Sequence, residues 1–279
     1  MNRGSLLGLG PHGFHRIAYV EWGDARGEAV VCVHGLTRNG RDFDRLAAAL
    51  AASRRVVCPD VVGRGQSDWL ADPAGYGYPQ YCADMAALVA RLGVATVDWV
   101  GTSMGGLIGL MLAAMPRSPI RRLVLNDVGP FLPRAALGRI AGYVGKDPDF
   151  ADLDDCEAYL RRVHAPFGPL ADDDWRHLAS HGHRRDAAGR LRLAYDPAIA
   201  RAFAGEPADI DLWSLWDRVT CPVLVLRGGQ SDLLLAETAT AMTARGPRAR
   251  LVEFAEAGHA PALMAAHQIA VVHDWLLAP

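Results

Sequence analysis

The sequence predicts an α/β protein, a mostly parallel sheet with helices on both faces, interrupted once by an inserted helical segment. Three observations carry this. Short apolar runs of strand length alternate with helical patterns along most of the 279 residues. Some runs are apolar throughout, such as Ala29-Val30-Val31-Cys32-Val33, as a strand covered on both faces requires. The alternation fails between Asp127 and Thr220 and then resumes.

Taken in order, strands are predicted at roughly 15–22, 29–34, 54–59, 96–101, 121–126, 222–227 and 249–254. Helices are predicted between them at about 41–52, 79–92, 104–115, 235–244 and 262–277. The irregular stretch holds Pro130, Pro133, Pro148, Pro166, Pro169, Pro197 and Pro207, an acidic cluster from Asp152 to Asp155, and no clear strand series. Helical patterns recur in it near Ala135–Val144, Asp154–Val163, Asp173–Ser180 and Pro197–Phe203. It is too long for a plain loop. The expected organisation is a core made of 1–129 and 220–279, with 130–219 inserted as a helical cap.

Composition narrows the function. A hydrophobic content of 51% is ample for a core, and a net charge of −2 gives no electrostatic case for nucleic acid or an anionic membrane. Lys146 is the only lysine, a bias of composition rather than a binding face. Five cysteines without framework spacing, with Cys32, Cys58 and Cys221 in or beside strands, suggest buried free thiols in a reducing compartment. The first residues lack an apolar signal core, and no apolar run reaches a membrane-spanning length. A soluble cytoplasmic protein is expected, with no cofactor and no metal. The oligomeric state is not legible.

The chemistry is concentrated at Gly101-Thr102-Ser103-Met104-Gly105, between a predicted strand and a predicted helix. Gly-x-Ser-x-Gly there reads as a nucleophile elbow, a sharp turn that lifts the Ser103 hydroxyl above the sheet. A serine hydroxyl needs a base, and the base needs an orienting carboxylate. In the chain order Ser, acid, His, the candidates are Asp232, after the strand Cys221–Arg227, and His259, after Arg250–Phe254. Asp127, after the strand ending at Asn126, competes for the acid role. Asp232 is preferred because its Gly-rich loop directly precedes the final strand and His259. The oxyanion donors are expected to be the N–H of Met104, after the nucleophile, and of Leu36, after the strand ending in His34-Gly35. His177, His181 and His183 lack the accompanying pattern of a metal site, and His267 and His273 fall in the last helical pattern.

Together with Asp60-Val61-Val62-Gly63-Arg64-Gly65-Gln66-Ser67, these motifs make the chain resemble a serine α/β-hydrolase of the esterase, lipase and epoxide-hydrolase-like superfamily over nearly its whole length. The resemblance implies that the Asp60–Ser67 loop braces the serine loop and that the cap covers the serine and shapes the acyl pocket. It implies hydrolysis of a carboxylic ester or related acyl compound, a small molecule, through an acyl-enzyme. Ser103 argues against the aspartate-dependent dehalogenases and epoxide hydrolases, and Leu36-Thr37-Arg38 replaces the longer Gly-rich run common in carbon–carbon hydrolases. Carbon–carbon cleavage, lactone opening, acyl transfer and a non-enzymatic ligand receptor remain alternatives on this fold. Candidate substrate contacts are the cap aromatics Phe131, Tyr143, Phe167 and Trp175, for which ordinary packing is an equal reading. Arg38 is a further candidate, for a substrate carboxylate such as that of a half-ester or hydroxyacid oligomer. An ion pair to Asp42 or Asp44 is the favoured alternative for it.

Overall fold

The computed structural model describes residues 1–278. Its centre is an eight-stranded sheet. We number the strands β1 (Asn2–Gly10), β2 (Gly13–Trp22), β3 (Ala29–Val33), β4 (Arg55–Pro59), β5 (Val97–Thr102), β6 (Ile120–Asn126), β7 (Val223–Gly228) and β8 (Arg250–Phe254). They lie in the order β1-β2-β4-β3-β5-β6-β7-β8. β2 pairs antiparallel with both β1 and β4, and β3 to β8 are mutually parallel. Successive side chains of a strand point to opposite faces. Val31, Val33, Trp99 and Leu123 therefore share one buried layer, while Val30, Cys32, Val100 and Val124 share the other.

Helices α2 (Tyr78–Leu92), α3 (Met104–Ala113) and α8 (Ala236–Ala244) contribute to the first layer through Met85, Leu88, Ile108 and Met242. Helices α1 (Asp44–Leu50) and α9 (Ala266–Leu277) contribute Leu46, Leu50, Val272 and Leu276 to the second. Each such side chain, fully removed from water, favours folding by about 1.5–3 kcal/mol before the loss of chain entropy. The five cysteines are free thiols. No helix among the described residues is long and apolar enough to cross a membrane.

Two features depart from the sequence prediction. β1 was not anticipated, because it is glycine-rich and largely exposed, so neither propensity nor alternation marks it. It pairs with β2 along its whole length, from Asn2 opposite Glu21 to Gly10 opposite Gly13. The 130–219 stretch contains helices α4 (Arg134–Ala141), α5 (Leu153–Val163), α6 (Asp172–His181) and the short α7 (Trp213–Trp216), but also small sheets. Asp149–Phe150, Leu191–Leu193 and His183–Arg185 form one, and Phe131–Leu132 pairs with Ile210–Asp211 in another. Strands of two or three residues are too short to leave a periodic signature. Pro197–Phe203 winds as a 3₁₀ helix.

The insertion is pinned to the core through the Asp60–Ser67 loop. Gly65 N–H donates to Ala194 O and Asp196 N–H donates to Gly63 O, both at 2.8 Å. The Tyr76 hydroxyl donates to Asp196 at 2.6 Å. Asn39 reaches across to the His181 carbonyl at 2.9 Å.

Candidate active site

The elbow forms as its residue types require. Ser103 has φ 52° and ψ −114°, a conformation unfavourable for a residue with a side chain. The flanking glycines are steric necessities. A Cβ on Gly101 would lie 2.3 Å from the Gly105 carbonyl oxygen, and one on Gly105 would lie 2.0 Å from that of Val33. α3 begins at Met104, so its first N–H groups have no partner within the helix and face the region above Ser103.

Ser103 Oγ–H donates to His259 Nε2 at 2.9 Å. On the other side of the ring, His259 Nδ1–H donates to Asp127 Oδ2 at 2.7 Å. The sequence-based choice of Asp232 is thereby corrected: the carboxylate beside His259 is Asp127. Asp127 follows β6, which lies directly beside the serine-bearing β5. It is fully buried and accepts two further hydrogen bonds, from Gly228 N–H at 2.7 Å and Ser231 Oγ at 2.6 Å. The loop after β7 thus supplies a hydroxyl that orients the acid rather than the acid itself. Asp232, the next residue, turns outward and forms a two-pronged ion pair with Arg139 of α4, at 2.5 and 2.7 Å. Burial raises the Asp232 pKa, but the Arg139 guanidinium more than offsets this and holds it below the usual carboxylate range.

Leu36 and Met104, the expected oxyanion residues, line one cavity with Ser103 and His259. A residue that sequence reasoning treated only as part of a bracing loop connects them. Arg64 is fully buried; its Nε donates to Leu36 O at 2.9 Å and its Nη2 approaches Met104 Sδ at 3.6 Å. Its charge rests over the Tyr81 ring, 5.0 Å from the centroid, with no carboxylate among its hydrogen-bond partners among the described residues. His34 braces the same region, donating through Nδ1 to Gly35 O and accepting from Val61 N–H at Nε2.

The other sequence candidates divide. Tyr143 and Phe167 line the cavity. Phe131 does not, because it is held in the small strand pair opposite Asp211. Trp175 does not, because it packs inside the insertion under Arg161. Arg38 is buried at the cavity wall, but Asp42 takes its Nε and Nη2, each at 2.8 Å. The carboxylate-binding reading is corrected to the ion-pair alternative, since a substrate carboxylate would compete with one already seated. Asp44, His177 and His181 have potential ligand atoms within 4.8 Å of one another, yet Arg41 Nε donates to Asp44 at 3.0 Å and supplies the positive charge there.

These environments imply a pH-dependent stability. Burial pushes the His34 pKa down to about 4, and partial burial with Arg41 nearby does the same to His181. Burial, aided by Arg38, also holds His164 well below 6.5. A depressed histidine pKa means that the unfolded chain binds the extra proton, so these groups make stability rise with pH between about 4 and 6.5. Asp60 acts oppositely, because burial raises its pKa to about 6. Burial raises the Asp84 pKa as well, so three histidines oppose two carboxyls, and the melting temperature is expected to fall as pH drops from 7 to 5. Calorimetry showing a level or rising melting temperature would contradict this balance.

Comparison with known proteins follows this geometry. A family profile described as the alpha/beta hydrolase fold matches residues 28–265. The chain is 48% identical over 277 residues to a 3-hydroxybutyrate-oligomer hydrolase of Cupriavidus necator, covering 94% of this chain and 93% of that one. It is 29% identical over 220 residues to a 2-(acetamidomethylene)succinate hydrolase of Mesorhizobium japonicum, covering 78% and 76%. Among solved structures it is similar to a putative hydrolase from Rickettsia typhi, with a TM-score of 0.93, 34% identity and 99% of both chains covered.

Proposed function

This chain belongs to the α/β-hydrolase family, and from that premise we propose that Ser103, His259 and Asp127 are its catalytic triad. The chain is a hydrolase of esters or closely related acyl compounds. The observation that carries the triad is the continuous relay from Ser103 Oγ through His259 to Asp127, at 2.9 and 2.7 Å. Ser103 Oγ attacks the acyl carbonyl carbon while His259 Nε2 takes its proton. The negative charge that develops on the carbonyl oxygen is met by the N–H groups of Leu36 and Met104. Asp127 holds Nδ1–H and so keeps Nε2 free to accept. The tetrahedral adduct collapses, His259 returns the proton to the leaving alcohol, and the acyl group remains on Ser103. Water, deprotonated by His259, then releases the acid.

The substrate we propose is a short oligoester of a hydroxyacid, of the 3-hydroxybutyrate kind. The extensive likeness to the 3-hydroxybutyrate-oligomer hydrolase supports this. Cavity size supports it too. The space beside Ser103 is about 110 Å³. A cavity of roughly 150 Å³ holds one benzene molecule. We read that space as sized for a four-carbon acyl group rather than a long fatty chain. The insertion at 130–219 acts as the cap that sets this limit, through side chains such as Ile140, Tyr143 and Phe167.

The test compares 3-hydroxybutyrate dimer and trimer with p-nitrophenyl esters of increasing chain length. Monomer release from the oligomers is expected, with the p-nitrophenyl series peaking at about four carbons. Inert oligomers alongside rapid turnover of long-chain esters would refute the substrate assignment.

A further inference from the structure

One polar side chain in the cavity has no task in the chemistry above. His164 follows α5 directly and is 9% exposed. It lines the same cavity as Ser103 and His259. Phe167 covers its ring, with centroids 4.6 Å apart and planes inclined by 23°. Its backbone N–H and carbonyl are paired, with Leu160 and Phe167. Neither ring nitrogen has a hydrogen-bond partner among the described residues.

Both nitrogens are open to the cavity rather than sealed in the core, so water pairs with them until a ligand displaces it. A neutral imidazole has one N–H donor and one lone-pair acceptor, and buried polar groups are nearly always paired. Burial, then the charge of Arg38, keep His164 in this neutral form. The cavity wall from the insertion is mostly apolar, with Leu137, Ile140, Val163 and Phe167; of its polar side chains, Arg139 is already paired with Asp232. A hydrocarbon acyl chain would fill the wall and leave the imidazole dry and unpaired. An acyl chain with an oxygen along it would not.

We infer that His164 is a specificity-determining residue that hydrogen-bonds an oxygen carried on the acyl chain, and so selects hydroxyacyl esters over plain acyl esters. The inference rests on the serine-hydrolase reading and deepens it. A hydroxyl both donates and accepts, so it pairs with either ring nitrogen. An in-chain ester carbonyl pairs with the N–H. A site built around such a bond rejects an analogue lacking the oxygen, because the protein's own polar group is then left unsatisfied.

The experiment uses p-nitrophenyl 3-hydroxybutyrate and p-nitrophenyl butyrate, which differ by one hydroxyl, with wild type, His164→Phe and His164→Gln. Wild type is expected to favour the hydroxy ester by about tenfold or more in kcat/KM. His164→Phe keeps an aromatic ring against Phe167 and removes both nitrogens. It is expected to lower kcat/KM for the hydroxy ester by about 10- to 100-fold and to leave the butyrate ester within about threefold. His164→Gln, which retains a donor and an acceptor, is expected to keep part of the preference. Equal losses on both esters in His164→Phe, or a wild type without preference, would overturn the inference. If thermal melting shows His164→Phe to be unfolded, His164→Gln decides: a reduced preference supports the role and an unchanged ratio overturns it. Failure of wild type on both esters, or turnover that survives Ser103→Ala, would instead overturn the hydrolase reading beneath it.

Discussion

Ser103→Ala is expected to lower kcat by roughly 10⁴- to 10⁶-fold, the scale of losing a serine nucleophile in a triad. The expectation follows from the 2.9 Å contact to His259 and from the elbow that presents the hydroxyl. Folding should be intact, because Oγ makes no structural bond apart from the one to His259 among the described residues. Alanine inherits the strained φ of 52°, so the melting temperature should stay close to wild type. Ser103→Gly, which relieves that strain, should be equally inactive and no less stable. The check is single-turnover kinetics with intact-mass analysis after a sulfonyl fluoride. Wild type should gain one adduct, mapped to Ser103, and the alanine variant none. Near-normal turnover by the purified variant would remove Ser103 from the chemistry.

Asp127→Asn is expected to cost about 10⁴-fold in kcat, whereas Asp232→Asn should cost less than about tenfold. The carboxylate of Asp127 accepts three hydrogen bonds, from His259, Ser231 and Gly228. An asparagine has only one acceptor oxygen for these donors, and its amide nitrogen favours the tautomer with the proton on Nε2. That tautomer cannot accept from Ser103. Asp232, with its side chain 47% exposed, interacts with Arg139 rather than with His259, so its loss disturbs only one side of the cavity. Steady-state kinetics on both variants, with thermal melts as a control for folding, decides the matter. A larger loss in Asp232→Asn would restore the acid to that position.

Much of this molecule is written in local pattern. β3 to β7 are legible because a parallel strand buried on both faces must be apolar over consecutive residues. The elbow is legible because only glycine fits at 101 and 105, where an added Cβ would lie 2.3 and 2.0 Å from backbone carbonyl oxygens. His259 is legible as the partner of Ser103 because it follows the last strand, on a loop that reaches Ser103. The insertion is legible as a break in the alternation, and its helices as amphipathic stretches, whereas its two- and three-residue strands leave no period to detect.

The proposed acid of the triad belongs to the other category. Asp127 and Asp232 are the same residue type, and each sits on a loop that follows a strand. Sequence proximity to His259 favours Asp232. What separates them is lateral order in the sheet, which places β6 beside β5 and lets the loop after β7 turn its hydroxyl inward and its carboxylate outward. Arg38 was decided in the same way, by a neighbour four residues along that folds back to take its charge. The roles of Arg64 and His164 carry no local signal at all, since a buried guanidinium and an unpaired imidazole become such only when distant segments close around them. Sequence alone determined the fold, and it marked out Ser103 and His259, which the structure brings to 2.9 Å of each other, because those features depend on local sterics and periodicity. Tertiary structure decided which carboxylate sits beside His259 and which polar side chains line the cavity, because hydrogen bonds act over about 3 Å and only the packed chain sets such distances.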